Sequence, residues 1–146
     1  MKLNEQQKLS EQHANEMFTP MLSEGEEILC TVYCAFGQKE FSAPIGDILA
    51  GYAACTSGGR LLLAIYSSMC YSFNGVKTET YDLSLAKNIK IKKIIIGEYV
   101  IKADFTSENG DRKIKIQIAS KAFFNGFPNQ KENLEKMLEI LRKYEN

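Results

Sequence analysis

The stretch Lys113-Ile114-Lys115-Ile116-Gln117-Ile118 alternates a polar side chain with isoleucine at every step. Period two is the pattern of a strand with one buried and one wet face. Asn109-Gly110 just before it supplies a turn pair, and Tyr99-Val100-Ile101-Lys102-Ala103-Asp104-Phe105 upstream alternates in the same way. Folding these two runs together places Tyr99, Ile101, Ala103 and Phe105 on one face with Ile114, Ile116 and Ile118. Lys102, Asp104, Lys113 and Lys115 then face water. A two-stranded ribbon is not stable alone, so the remaining chain has to complete a sheet.

The expected partners are legible upstream. Residues 27–36 and 48–56 read as strands, and Ser57-Gly58-Gly59 turns the second into Arg60–Tyr66. Residues 69–73, the Asn74-Gly75 turn and Val76–Leu83 continue the pattern. The isoleucine-rich segment 89–96 then turns at Gly97-Glu98 into the run from Tyr99. Short connections make such a sheet antiparallel. After Ala119 the period changes: Leu134, Met137, Leu138 and Leu141 fall on one helical face, with Glu135, Lys136, Glu139 and Arg142 opposite. Asn129 is placed as N-cap, with Glu132 as its capping-box partner.

The fold class expected is mainly β with α. About seven antiparallel strands form a partly open barrel closed by the C-terminal helix, which is preceded by Phe123, Phe124 and Phe127. Residues 1–22 form a helical arm and residues 23–146 the barrel with its helix. In the arm, Leu9, His13 and Met17 make a narrow stripe, and Thr19-Pro20 ends the helix. The arm is expected to pack on the domain as a lid or to reach a partner.

At 146 residues the chain can bury a real core without disulfides or metal. Its 18 basic and 18 acidic side chains cancel, which sets nucleic acid aside as a partner. The first residues lack the apolar core of a signal peptide, and no apolar run has the ~18 residues of a membrane span, so a soluble, cytoplasmic protein is expected. Cys30 and Cys34 lie on one strand, roughly 13 Å apart, too far to share an ion. Cys55 and Cys70 have no second ligand nearby in sequence, so all four read as small buried hydrophobes. His13 is the single histidine and reads as a solvated position on the arm. No phosphate loop or catalytic group is present in the sequence, and no enzyme activity, metal or cofactor is expected.

Charge is distributed unevenly. Residues 87–115 carry eight cations against four carboxylates, whereas residues 1–29 carry two against six. Alternation turns Lys90 and Lys92 outward, to join Lys102, Lys113 and Lys115 on one face of the last three strands. That face is either an ordinary solvated surface that discourages edge pairing or a docking surface for an anionic partner, including the protein's own acidic arm. Phe41 and Ile45, with Pro44, lie in the long loop 37–47; they either form an exposed apolar contact or cover the barrel mouth.

Four stretches resemble the bacterial pleckstrin-homology (PH) superfamily, in particular its YokE-like branch: Glu24-Gly25-Glu26-Glu27-Ile28, Thr56-Ser57-Gly58-Gly59-Arg60-Leu61-Leu62, Tyr81-Asp82-Leu83-Ser84 and Asn133-Leu134-Glu135-Lys136-Met137-Leu138. The resemblance spans residues 24–144 and implies a seven-stranded, partly open barrel with a closing helix. It supplies no ligand. Phosphoinositide-binding PH domains carry several cations around the first loop, but here Lys39 faces Glu40 and Asp47, a poor phosphate cradle. The function expected is a non-enzymatic interaction module that binds a protein or peptide. The alternatives are an anionic membrane surface met by the lysine face, or a small apolar ligand carried inside. A homo-oligomer stays open.

Overall fold

The structure, a computed structural model, describes residues 9–37, 39–41, 49–67, 76–107, 110–121 and 126–145. Seven strands form one open antiparallel sheet: β1 (Ile28–Phe36), β2 (Leu49–Thr56), β3 (Arg60–Ser67), β4 (Lys77–Asp82), β5 (Ala86–Ile95), β6 (Glu98–Ser107) and β7 (Gly110–Ala119). Their order is β4-β3-β2-β1-β7-β6-β5, so β4 and β5 are the two edges. Among the described residues two α-helices accompany the sheet, α1 (Glu11–Phe18) and α2 (Gln130–Arg142). The segment expected as a strand at 69–73, its Asn74-Gly75 turn, Ile45, Pro44 and Cys70 lie outside the described residues.

One face of all seven strands encloses the main core. Val32, Leu61, Leu63, Ile101, Ile114, Ile116 and Ile118 are buried there, together with Leu134, Met137, Leu138 and Leu141 of α2. The sheet curls enough for its first edge to reach across: Tyr81 of β4 packs against Phe105 of β6 at 4.6 Å between ring centroids. The alternation predicted for β6 and β7 is the one observed, with Ile101 opposite Ile116 and Ala103 opposite Ile114. The preceding turn sits one residue earlier than expected. Ile96-Gly97 makes it, with Gly97 in the left-handed region at φ +80°.

A second core covers the opposite face of β1, β2 and β3. Tyr52, Ala54, Leu62, Ala64 and Tyr66 are buried beneath Ala14 and Phe18 of α1 and beneath Phe127. The arm therefore lies on the sheet, but rotated from the expected stripe: Ala14 and Phe18 are fully buried, while Leu9 and Met17 flank them. Tyr52 forms the centre of this layer, with edge-on contacts to Phe18 and Tyr66. His13 is not solvated as expected. It is half-buried, its Nδ1 lies 2.7 Å from the Tyr52 hydroxyl, and burial lowers its pKa against an opposing pull from Glu16.

The helix ends depart from the capping expectation. α1 starts at Ser10, whose hydroxyl accepts from the His13 N–H at 3.0 Å. Asn129 makes no side-chain cap on α2. Instead the Glu11 carboxylate of α1 accepts from the Asn129 N–H at 2.8 Å and from its amide at 3.2 Å. A carboxylate at that position also meets the positive end of the α2 dipole. The acidic arm thus places Glu11 on the closing helix rather than on the lysine face.

β1 and β7 pair only at Ala35–Gln117 and Phe36–Ile116 and then part. The side chain of Gln130, 3% exposed, fills the split. Its Oε1 accepts from the Tyr33 N–H at 3.0 Å, and its Nε2 donates to the Tyr33 and Ala119 carbonyls at 2.8 and 3.0 Å. One amide thereby satisfies three backbone groups that a continuous ladder would have paired.

Candidate functional site

The outer face of β5, β6 and β7 is left open by both helices, and lysines occupy it in register. Lys90 stands directly opposite Lys102, and Lys102 opposite Lys115. With strands roughly 4.8 Å apart, three ammonium stems lie abreast across about 10 Å. The adjoining row is neutralised: Lys87 and Lys113 flank Asp104. On the other side Lys92 stands opposite Val100, which faces Gln117. The structure thus brings Lys90, Lys92, Lys102, Lys113 and Lys115 onto one surface. Like charges directly opposite one another weaken a sheet, so the row of three runs against the stability of the fold.

The loop residue Phe41 does not belong to this surface. It is 8% exposed and packs edge-on against Phe36 at 5.2 Å, inside the main core. The Arg112 guanidinium lies over its ring, 4.7 Å from the centroid. Phe41 is therefore not the exposed apolar contact that was one of its two expected roles; it is part of the main core.

Two further charged clusters lie elsewhere on the barrel. At the open edge, Arg112 donates to both oxygens of Glu79 at 3.2 and 3.3 Å and to the Tyr81 hydroxyl at 3.2 Å. Tyr81 in turn donates to Glu79. Burial works against the Glu79 charge, but Tyr81, Arg112 and Lys77 together lower its pKa; burial and Glu79 raise that of Tyr81. A groove of about 520 Å³ opens here between Arg60, Tyr81, Leu85, Phe105 and Arg112. Its two guanidiniums are already neutralised, Arg112 by Glu79 and Arg60 by Glu26, so the groove offers no spare cation to an anionic ligand.

The second cluster gathers residues from the first two of the four stretches that carried the family resemblance. Arg60 Nε donates to Glu26 at 2.9 Å, its Nη2 donates to Glu26 and to the Met21 carbonyl, and Thr56 donates to the same carboxylate. The Ser23 N–H adds a bond of 2.9 Å. Gly58 leaves room for this clasp, since a Cβ there would run into the Glu26 carboxylate and displace it. These residues fasten the arm and the start of β1 to the β2–β3 turn; their work is structural. Arg60, with Thr56 and Ser23, holds the Glu26 carboxyl down to about 2 from an ordinary 4.5. A depressed acid stabilises the fold above its unfolded pKa and loses that contribution as protons bind. Urea midpoints are therefore expected to fall as pH drops from 4.5 towards 2, and Glu26→Gln should start lower and flatten that slope.

Cys55, which stands alone in sequence, is placed directly opposite Cys30 across the β1–β2 pair, and both are buried. Cys34 is buried too, and burial pushes its thiol well up. Among the described residues no three His, Cys, Asp or Glu side chains gather as a metal site. No described helix is long and apolar enough to cross a membrane.

No family model matches the chain, and no curated protein does. Among solved structures it is similar to the hSac2 domain from the human phosphoinositide phosphatase Sac2, with a TM-score of 0.55 over 91% of this chain and 78% of that one. At 12% identity the likeness is one of fold. None of these comparisons tests the resemblance to the YokE-like PH branch, which stays a matter of the four sequence stretches.

Register is what sequence reasoning lacked. Alternation pointed each lysine outward, but only pairing shows that three of them stand in line. Gln130 carried no signal beyond its place at a helix start, and Cys30–Cys55 none at all.

Proposed function

We propose that this chain is a non-enzymatic interaction module with a PH-like fold, and that its working surface is the lysine face of β5, β6 and β7, which takes an anionic partner. The observation that carries this reading is the Lys90–Lys102–Lys115 row. Edge protection accounts for lysines on β5 and on the part of β7 that β1 leaves unpaired, but β6 is paired on both sides, so Lys102 has no free edge to protect. A surface that keeps like charges abreast at a cost to its own stability gains them back when an anion supplies the missing countercharge.

Other features support a binding role over chemistry. The shifted titratable groups Glu26 and Glu79 are each explained by structural ion pairs, and His13 of the arm meets the Tyr52 hydroxyl of β2. Strand addition at β5 is disfavoured by its register shift between Lys87 and Lys90 and by Asn88 at φ 54°. Carriage of an apolar ligand is disfavoured by an interior filled with Leu, Ile and Phe side chains.

Lys102→Glu provides a test with two opposite signs. The substitution places a carboxylate between Lys90 and Lys115, so the melting temperature should rise by a few degrees at low salt. Binding to a polyglutamate peptide should at the same time weaken by about tenfold or more. Unchanged binding with a raised melting temperature would show that the lysine row is ordinary surface.

A further inference from the structure

Resting on that reading, we propose that the anionic partner is a lipid bilayer, and that the tip of the β5–β6 hairpin enters its interface. Ile94, Ile95 and Ile96 are 47%, 59% and 94% exposed, three consecutive aliphatic side chains at the apex of one hairpin. By sequence the β2–β3 turn, Ser57-Gly58-Gly59, and the β6–β7 connection, Glu108-Asn109, are polar. Among the described residues this hairpin end thus presents an exposed apolar apex.

The apex is built as a wedge with a cationic collar. The register shift between Lys93 and Ile95 re-aims the end of β5, and the Ser120 N–H donates to the Gly97 carbonyl at 2.6 Å, fastening the base of the turn to the chain beyond β7. Lys92 and Lys93 stand directly behind the isoleucines, and the Lys90–Lys102–Lys115 row follows on the same hairpin and its neighbour. Three residues of strand separate Lys92 from Ile95, a span of roughly 10 Å. Interfacial anchors bury their apolar side about 5–10 Å past the headgroups. The spacing therefore sets the ammonium groups at phosphate level when the isoleucines reach the acyl boundary. Long lysine stems adapt to such a boundary, and anionic lipid supplies the countercharge. An acidic protein would satisfy the lysines, but it would need a matching apolar pocket for a protruding apex; a bilayer needs none.

The chain has no tryptophan, so Ile96→Trp gives a single reporter at the apex. With mixed phosphatidylcholine–phosphatidylserine vesicles its emission should shift to the blue and be quenched by brominated acyl chains, and neither should occur with phosphatidylcholine alone. In co-sedimentation with the mixed vesicles, the double variant Ile95→Ser, Ile96→Ser should lose roughly thirtyfold or more in partitioning. It should keep its full, salt-sensitive affinity for polyglutamate. Polyglutamate binding without vesicle binding, or vesicle binding with an unshifted reporter, would overturn the bilayer and leave the anionic-partner reading standing. Loss of both polyglutamate and vesicle binding in the unsubstituted protein would overturn both.

Discussion

Deleting residues 129–146 is expected to abolish the cooperative unfolding transition, leaving a chain that binds a hydrophobic dye and loses near-ultraviolet dichroism. Leu134, Met137, Leu138 and Leu141 all lie in the main core, against β1, β2 and the far end of the sheet. Each such side chain contributes about 1.5–3 kcal/mol on burial, so the four together contribute roughly 6–12 kcal/mol. A domain of this size has a net stability of only about 5–15 kcal/mol. Removal of the helix also strips the cover from strands whose inner face is otherwise isoleucine and leucine. A sharp, reversible thermal transition in the truncated chain would mean that the sheet is self-sufficient.

Gln130→Ala should cost about 3 kcal/mol, the largest effect expected of a single polar substitution here. Three hydrogen bonds disappear, and an N–H and two carbonyls in the split between β1 and β7 lose their partner. A buried group so orphaned costs about 1–3 kcal/mol, less where water can enter the space left behind. Gln130→Met separates the causes. It keeps nearly the same volume but makes none of the bonds, so it should be almost as unstable as the alanine variant. Urea unfolding with an unchanged m-value is the measurement, since a constant slope keeps the comparison one of stability. A methionine variant close to the parent would show that Gln130 acts by filling space alone.

The two predictions differ in how far the sequence foresaw them. The α2 stripe repeats at helical spacing within a dozen residues, so Leu134, Met137, Leu138 and Leu141 could be assigned to one face before any fold was known. Gln130 could not. Its role exists because β1 and β7, far apart in sequence, part after two paired positions, and nothing near residue 130 records that event. Similarly, the arm was legible as a helix ended at Thr19-Pro20, yet its buried face is Ala14 and Phe18 rather than Leu9, His13 and Met17. Which side of a short polar helix is buried depends on the surface it meets, here the aromatic layer around Tyr52.

The alternation at residues 113–118 shows where the division falls. By itself the sequence determined that this run is a strand, which side of it is dry, that its companion begins near Tyr99, and that a helix with a four-residue apolar face follows. Each of these depends on spacing between near neighbours. Only the tertiary structure decided that Lys90, Lys102 and Lys115 stand in one row, that Glu26, Thr56 and Arg60 form a clasp rather than a site, and that the far side of β1–β3 carries a second core. Those outcomes depend on register and on which elements pair, and a period of two is the same in every register.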